Sequence, residues 1–269
     1  MKVVCIQPQL MQDREKGYSE IRSIFKTVFK SHENCDIACL PERWIPFFKD
    51  LNKNFQLERG EDYSFVQELA KEFQINIISG AIWEKRKDMK KPFITSYFFN
   101  QKGEEIGRQD KIHLYATEKR MFEPGKLLNL FKLNNYYFSI LICFDMAFYE
   151  TPRLAAENGA DVLFSPTQIR ADGMKNWAIY LQARALENRI PVVACNTFGK
   201  ILDRNFQGNS KIISFVKGFN SPSKLKVVEG PKNSSGFIYD DLDLNFPKKI
   251  RKTRLKEKIN TKTINIKKF

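Results

Sequence analysis

Cys143 is the residue whose type and position best suit nucleophilic chemistry. It follows the apolar run 138–142, whose length and residue types predict a buried strand. A nucleophile at the carboxyl end of a strand projects into the crevice where α/β proteins place their sites. The alternative is a small core residue, and that is the interpretation we favour for the other cysteines: Cys5, Cys35, Cys39 and Cys195.

A thiol needs a partner that removes its proton, and histidine is poorly represented here. The sequence has only two histidines; His32 falls in the polar end of a predicted helix, whereas His113 lies close to Lys111 and could line the same pocket. A carboxylate with a nearby cation is the other way to activate a thiol. Glu42 follows the short apolar run 36–40, and its carboxylate could accept the proton.

Lys111 closes another predicted strand, 104–110. Its ammonium group could lower the pKa of the thiol or bind an oxyanion. Taken singly, Glu42, Lys111 and Cys143 could each be a structural or surface residue. Because all three follow predicted strands, separate elements could bring them together in one pocket.

Metal and phosphate chemistry lack their usual residues. The two histidines are far apart, no thiol pair has the spacing of a zinc site, and no glycine-rich phosphate loop is present. We therefore expect neither a metal nor an organic cofactor.

The elements that would position these residues alternate between strands and helices. Short apolar runs predict strands at 3–6, 36–40, 75–83, 160–165 and 191–196, and helical spacing predicts helices at 21–29, 63–73, 152–158 and 175–189. Paired runs at 93–99 with 104–110, and at 127–133 with 136–142, predict hairpins. The charged stretch 84–91 suggests a solvated loop. The pattern predicts one α/β domain with mixed sheets covered by helices.

The net charge of +14 is concentrated near the carboxyl terminus. Residues 248–269 contain ten basic residues and one acidic residue, Glu257, so nine of the positive charges belong to them. We interpret residues 1–247 as the folded domain and 248–269 as a basic tail, either a partly disordered extension or an arm packed on a partner subunit. A nucleic-acid-binding tail is the less favoured alternative, because the tail offers only Phe269 for base stacking.

The residues around the three candidates resemble motifs of the nitrilase superfamily of carbon–nitrogen hydrolases, in the same chain order. The segments are Leu40–Trp44 (LPERW), Arg108–Leu114 (RQDKIHL) and Ile142–Glu150 (ICFDMAFYE). The resemblance covers essentially the whole chain, with supporting similarity at 118–125, 177–188 and 208–210. It implies the α-β-β-α sandwich of the family, a four-layer α/β fold, and the homodimer or higher oligomer that pairs such sandwiches.

The resemblance also implies a Glu–Lys–Cys triad of Glu42, Lys111 and Cys143. Glu42 would act as the base, and Lys111 with the backbone N–H of Phe144 would hold the oxyanion. Glu118 matches a second active-site glutamate that orients Lys111 and the substrate. Three further residues are assigned to the substrate pocket: Trp44, His113 and Trp177.

The expected function is hydrolysis of a small linear, non-peptide amide through a cysteine thioester, with carbamoyl or nitrile hydrolysis by the same triad as the alternative. Phe144-Asp145 after the nucleophile resembles the amidase branches more than the true nitrilases. Ala147 replaces an arginine that amidase branches often carry, which weighs against a carboxylate-bearing substrate. The odd cysteine number, the absence of a long apolar stretch and the short strand at the amino terminus favour a cytoplasmic protein that does not span a membrane.

Overall fold

Two mixed β-sheets face each other at the centre of the structure, and helices cover the outer face of each. The computed structural model describes residues 1–32, 34–259 and 263–268. The layers are therefore helix, sheet, sheet and helix. The predicted α-β-β-α sandwich is confirmed.

Sixteen strands lie in the described part of the chain. They are β1 (Lys2–Gln7), β2 (Ile37–Cys39), β3 (Gln56–Leu57), β4 (Asn76–Ile78), β5 (Ile82–Lys85), β6 (Phe93–Phe99), β7 (Glu105–Asp110), β8 (Leu130–Leu133), β9 (Tyr136–Ile140), β10 (Val162–Pro166), β11 (Val192–Cys195), β12 (Phe198–Ile201), β13 (Arg204–Gln207), β14 (Lys211–Asn220), β15 (Ser223–Glu229) and β16 (Gly236–Asp241).

Six α-helices accompany them: α1 (Arg14–Ser31), α2 (Glu61–Phe73), α3 (Glu118–Met121), α4 (Glu150–Glu157), α5 (Met174–Asn188) and α6 (Asn245–Lys256). Short 3₁₀ turns occupy Leu51–Asn54, Cys143–Ala147 and Ala171–Gly173. These boundaries fall close to most of the helices and strands that the hydrophobic pattern predicts.

The first sheet has the strand order β16-β1-β2-β4-β6-β5-β3, with β7 also paired to β6. The second sheet has the order β15-β14-β11-β10-β9-β8. Strands β1, β2 and β4 run parallel in the first sheet, as do β9, β10 and β11 in the second. Parallel neighbours place the carboxyl ends of their strands at one edge of the sheet, where α/β proteins locate their sites.

Alternation along the strands sends neighbouring side chains to opposite sides of each sheet. In β1, Val3 and Cys5 pack between the two sheets, whereas Val4 and Ile6 pack under α1 and α2. The second sheet is covered in the same way by α4 and α5, against residues such as Leu163. Burial of apolar surface on both faces of both sheets holds the four layers together.

Helix α1 shows how local sequence fixes an element of the outer layer. The Asp13 carboxylate accepts a hydrogen bond of 2.8 Å from the backbone N–H of Lys16 and so caps the first turn. Ile21, Phe25 and Val28 recur at helical spacing and are fully buried. The cap starts the helix, and the apolar stripe docks it on the first sheet.

Two predictions along the first sheet are wrong in detail. The run 75–83 forms two strands, because Gly80 adopts a left-handed φ of +73° and a Cβ there would lie 2.1 Å from the Pro41 carbonyl oxygen. The segment 84–91 is not wholly a solvated loop, because Glu84 lies on β5 and is fully buried. The Arg86 guanidinium makes this burial tolerable by binding the Glu84 carboxylate at 2.7 Å.

The start of the basic tail is helical rather than extended. The predicted boundary between Pro247 and Lys248 falls inside α6, whose Ile250 and Arg251 are buried. The Arg251 guanidinium donates a 2.8 Å hydrogen bond to the Asp161 carboxylate, which is itself buried. Residues 260–262 and 269 of the tail lie outside the described residues.

Within the ranges that the structure describes, no helix is both long enough and apolar enough to cross a membrane.

Candidate active site

Cys143 opens a 3₁₀ turn three residues after the end of β9. Its φ of +48° lies in the left-handed region, which L-residues other than glycine, asparagine and aspartate rarely adopt. The conformation turns the chain sharply out of the strand direction, and the side chain remains partly accessible. The nucleophile therefore lies on the turn beyond the strand and not on the strand itself.

The carboxylate of Asp145 holds this turn in place. One of its oxygens accepts the backbone N–H of Ile142 at 2.9 Å, and the other accepts the backbone N–H of His113 at 2.7 Å. Asp145 is fully buried, so these hydrogen bonds are shielded from water. They join the turn that carries Cys143 to the segment that follows Lys111.

Glu42 lies beyond the end of β2, in the first sheet. Its backbone N–H donates to the Thr167 carbonyl oxygen at 3.1 Å, just after β10 of the second sheet. Glu42 is 6% exposed, and its carboxylate lies near enough to the Cys143 thiol for its charge to raise the pKa of that thiol. A residue of the first sheet thus reaches a nucleophile supplied by the second.

Lys111 directly follows β7 and is 1% exposed. Its ammonium group donates to the Glu42 carboxylate at 2.7 Å and to the two oxygens of Glu118 at 2.9 and 3.1 Å. The backbone N–H of Gly125 donates to the Lys111 carbonyl at 2.8 Å, and a Cβ on Gly125 would lie 2.6 Å from the Asp110 carbonyl oxygen. This close approach accounts for the glycine of the Pro124-Gly125 pair.

The electrostatics of the cluster favour a protonated thiol and a charged lysine. Burial raises the pKa of the Cys143 thiol well above its usual value, and the charge of Glu42 raises it further, while Lys111 opposes the shift. Burial alone would lower the pKa of Lys111, but the charges of Glu42, Cys143 and Glu118 outweigh it, and the net pKa is raised. The resting thiol therefore needs a base, and Glu42 is the carboxylate whose charge acts on it most strongly.

Glu118 is the second carboxylate of the cluster, at the start of α3. Burial raises its pKa, Lys111 opposes this, and the charge of Glu42 adds to it. One oxygen of Glu118 also accepts the backbone N–H of Tyr115 at 2.8 Å. Glu118 therefore fixes the position of Lys111 and the loop beside it.

An apolar cavity of about 400 Å³ adjoins the cluster. Residues that follow Lys111 and Cys143 line it, among them His113, Phe144 and Phe148. The ring of His113 stacks on that of Phe148 with centroids 4.4 Å apart, and its Nδ1 lies 3.1 Å from the Asp145 carboxylate. His113 thus contributes to the wall of this cavity.

Trp44 and Trp177 are placed elsewhere. Trp44 is fully buried on the helix side of the first sheet, where its indole N–H donates to the Ser79 carbonyl at 2.7 Å. Trp177 is 3% exposed and packs between α5 and the second sheet. Neither lines the cavity, because each side chain points away from the space between the sheets. The assignment of both to the substrate pocket is corrected.

Gln168 and Asp145 are site residues that the sequence does not single out for a role. The backbone N–H of Gln168 faces the thiol of Cys143 and lowers its pKa. Its buried side-chain Nε2 has no hydrogen-bond partner among the described residues. The available signal was that Gln168 follows a buried strand, β10, at the same edge as the triad.

No group of three or more His, Cys, Asp or Glu side chains in the described ranges is arranged to hold a metal ion. The arrangement that is present has the parts for acyl transfer: a thiol, a carboxylate near it, a cation and a backbone turn.

A model of the carbon–nitrogen hydrolase family matches residues 2–245. The chain belongs to the carbon–nitrogen hydrolase family. A probable nitrilase of Schizosaccharomyces pombe is 28% identical over 256 residues, covering 93% of this chain and 91% of its own length. As a member of this family, the protein is an enzyme that hydrolyses carbon–nitrogen bonds.

Solved structures of carbon–nitrogen hydrolases share its fold. Nit3 of Saccharomyces cerevisiae, a member of branch 10 of the nitrilase superfamily, superposes with a TM-score of 0.81 at 22% identity, covering 94% of this chain and 93% of that one. A variant of the amidase from Nesterenkonia sp. AN1, with acrylamide added at its active site cysteine, has a TM-score of 0.77 at 21% identity, with coverages of 96% and 99%.

Proposed function

We propose that this carbon–nitrogen hydrolase cleaves a small linear amide through a thioester on Cys143, with Glu42, Lys111 and Cys143 as its catalytic triad. The observation that carries the proposal is that one carboxylate, Glu42, accepts a 2.7 Å hydrogen bond from the Lys111 ammonium group and also raises the pKa of the Cys143 thiol by its charge. The amidase from Nesterenkonia sp. AN1, which has an active site cysteine, supports the amide as the substrate.

In the first half of the reaction Glu42 accepts the thiol proton, and the Cys143 sulfur attacks the amide carbonyl carbon. The negative charge that develops on the carbonyl oxygen is held by the Lys111 ammonium group and the backbone N–H of Phe144. Glu42 then returns the proton to the leaving nitrogen. Ammonia or an amine departs, and the acyl group remains on sulfur.

In the second half Glu42 accepts a proton from water, whose oxygen attacks the thioester carbonyl carbon. Collapse of the intermediate breaks the carbon–sulfur bond, and the Glu42 proton returns to the thiolate. The products are a carboxylic acid and the free enzyme. Glu118 supports both halves of the reaction by holding the Lys111 ammonium group in place. The proposed reaction uses only side chains and backbone groups of the protein and needs no cofactor.

We further propose a homodimer built on the outer face of α4 and α5. Large apolar side chains are exposed there: Leu154 is 49% exposed, Ile179 63% and Tyr180 40%. Exposed apolar groups clustered on one face are typical of an interaction surface. Sedimentation of the Ile179→Asp protein should show a smaller species than the wild type, and the exposed Leu57→Asp serves as the control.

A cytoplasmic location is part of the same proposal. All five cysteines, including the nucleophile, are free thiols, which a reducing compartment preserves.

The reaction is tested with a panel of small amides, carbamoyl compounds and nitriles, assayed for ammonia and acid. We expect amides to be hydrolysed by the wild type and by Cys35→Ser, whose replaced thiol is also partly accessible, and not by Cys143→Ala. Mass spectrometry of the quenched reaction should find the acyl group on Cys143. Full activity of Cys143→Ala would overturn the mechanism, and turnover of nitriles alone would overturn the substrate class.

A further inference from the structure

Arg43 is a buried cation without a carboxylate of its own in the described part of the chain. The side chain is 2% exposed, and its Nη2 donates to the Pro46 carbonyl at 3.1 Å and to the Asn54 side-chain oxygen at 2.8 Å. Its Nε and Nη1 are buried and have no hydrogen-bond partner among the described residues. Burial lowers the pKa of Arg43 to about 10, so the guanidinium is still charged at neutral pH.

The carboxylates whose charges act on Arg43 are already engaged. Asp62 accepts from Arg14 at 3.0 Å and from the Tyr18 hydroxyl at 2.7 Å. Glu42 accepts from Lys111 at 2.7 Å. Neither carboxylate makes an ion pair with Arg43, because their oxygens accept hydrogen bonds from these other donors.

Other buried arginines of the chain are treated differently. Arg251 donates to Asp161 at 2.8 Å, and Arg184 forms an ion pair with Glu187 at 3.1 Å. An unpaired buried charge is strongly destabilising, and proteins normally neutralise it or pair it. The exception at Arg43 indicates that none of the described carboxylates supplies its counter-charge, and a bound anion could supply it.

The position of Arg43 is that of a substrate-binding residue. It follows Glu42 directly, and its guanidinium carbon lies 4.3 Å from the centre of the Trp83 ring. Trp83 in turn contacts Phe122, with ring centroids 4.8 Å apart, and Phe122 lines the cavity together with Phe144. A continuous aromatic wall therefore runs from the guanidinium to the residue after the nucleophile.

We propose that Arg43 binds an anionic group of the amide substrate through its Nε and Nη1 and so determines specificity. The inference rests on the proposed function and adds a carboxylate to the substrate class. A guanidinium edge with two free N–H groups matches the two oxygens of a carboxylate. The ring of Phe47 lies 4.9 Å from the guanidinium carbon, in the irregular segment 46–50, and a ligand that reaches these N–H groups would have to displace it.

This role revises the expectation drawn from Ala147. The arginine that amidase branches often carry after the nucleophile is missing at that position, but a guanidinium enters the site from a different element. Arg43 approaches beside the base, from the loop that follows β2. A carboxylate-bearing substrate is therefore compatible with this chain.

The test compares anionic amides with neutral analogues in the wild-type enzyme. Succinamate against butyramide probes a carboxylate on the acyl part, and N-acetylglycine against N-ethylacetamide probes a carboxylate on the leaving amine. One anionic member should exceed its neutral analogue in kcat/KM by about tenfold to a hundredfold, the range of charge-assisted hydrogen bonds. Equal kcat/KM values within both pairs would overturn the role of Arg43 while leaving the amidase proposal intact.

Arg43→Met should abolish this preference, so that kcat/KM of the anionic amide falls to that of its neutral analogue in the same variant. The control is Arg22→Met, which removes a half-buried arginine paired with Glu72 on the outside of α1 and should preserve the preference. A preference that survives in Arg43→Met would overturn the proposal. If Arg43→Met does not fold, Arg43→Lys carries the test, since lysine keeps the charge without the paired N–H groups and should lose most of the preference.

A binding measurement separates this inference from the proposed reaction. In Cys143→Ala, the preferred anionic amide should raise the melting temperature, and its neutral analogue should not. The same shift should be missing when Arg43→Met is added to Cys143→Ala. If no amide is turned over by the wild type, the reaction proposal fails, and the presence or absence of this shift still decides the role of Arg43.

Discussion

The backbone N–H of His113 donates a hydrogen bond of 2.7 Å to the Asp145 carboxylate in the candidate active site. Through its other oxygen Asp145 also accepts the N–H of Ile142, the residue before the nucleophile. One buried carboxylate therefore sets the distance between the segment after Lys111 and the turn of Cys143.

Asp145→Asn should lower both stability and kcat. The asparagine amide group can accept on only one side, so its NH₂ group faces a buried backbone N–H that then lacks an acceptor, which costs about 1–3 kcal/mol. Urea unfolding and steady-state kinetics measure the two effects. Asp172→Asn, at an exposed site, should change neither. Loss of stability with an unchanged kcat would show that Asp145 does not position the nucleophile.

Glu42→Gln should lower kcat and should also lower the pKa of the Cys143 thiol. The Glu42 carboxylate raises the pKa of Cys143 by its charge, and Lys111, which lowers it, remains. The pH midpoint of alkylation by iodoacetamide should therefore move to lower pH. Loss of the general base should reduce kcat by about 10²- to 10⁴-fold. A midpoint equal to that of the wild type would contradict this effect of Glu42, and Glu72→Gln, at an exposed site, provides the control.

Lys111→Met should shift the same titration in the opposite direction. Without the ammonium group, the factor that lowers the thiol pKa is lost, and alkylation should require a higher pH than in the wild type. The change also leaves the Glu42 and Glu118 carboxylates without their shared cation, so the double variant with Glu118→Gln should be the more stable protein for the measurement. A midpoint at or below the wild-type value would refute the assigned role of Lys111.

Arg251→Met should destabilise the fold by about 3–5 kcal/mol, because it leaves the fully buried Asp161 carboxylate without its closest cation. Lys252→Met, at an exposed position of α6, should change the free energy of unfolding by less than about 0.5 kcal/mol. Urea denaturation distinguishes the two. Equal stabilities would mean that α6 does not depend on this ion pair.

Truncation tests the basic tail. Removal of residues 258–269 should leave kcat and stability near wild type, because the buried contacts of α6 lie before that point. Truncation after Pro247 removes Arg251 and should destabilise the protein. Suppose that the untruncated chain binds duplex DNA in a salt-dependent way and that removal of residues 258–269 abolishes this binding. That result would support the nucleic-acid-binding alternative, which we do not favour.

The sequence singles out Glu42, Lys111 and Cys143 because each follows a predicted strand. Short apolar runs predict β2 and β9, whereas β7, which precedes Lys111, is mostly not buried and runs antiparallel to β6. The same reasoning could not place Trp44. Two residues apart in a strand, Glu42 and Trp44 would share a face, but segment 41–50 is irregular, and its backbone sends the indole to the helix side.

Hydrogen bonds between distant segments carry no periodic signal, and they account for what the sequence left out. The acceptor role of Asp145 and the donor role of Gln168 depend on how two loops meet. Arg43 stands out in the sequence only as part of a motif, because nothing in the neighbouring residues indicates that it is buried without a carboxylate partner. In the basic tail, the excess of charge concealed Ile250 and Arg251, which face the interior.

The division of the site between two sheets has a consequence for how activity is acquired. Glu42 and Lys111 follow strands of the first sheet and Cys143 follows a strand of the second, so neither sheet alone carries all three residues of the proposed triad. Activity therefore depends on the packing of the two sheets against each other. During refolding, turnover should return only after the sheets have packed together, and so later than the secondary structure forms. Recovery of activity would therefore measure when the tertiary structure is complete.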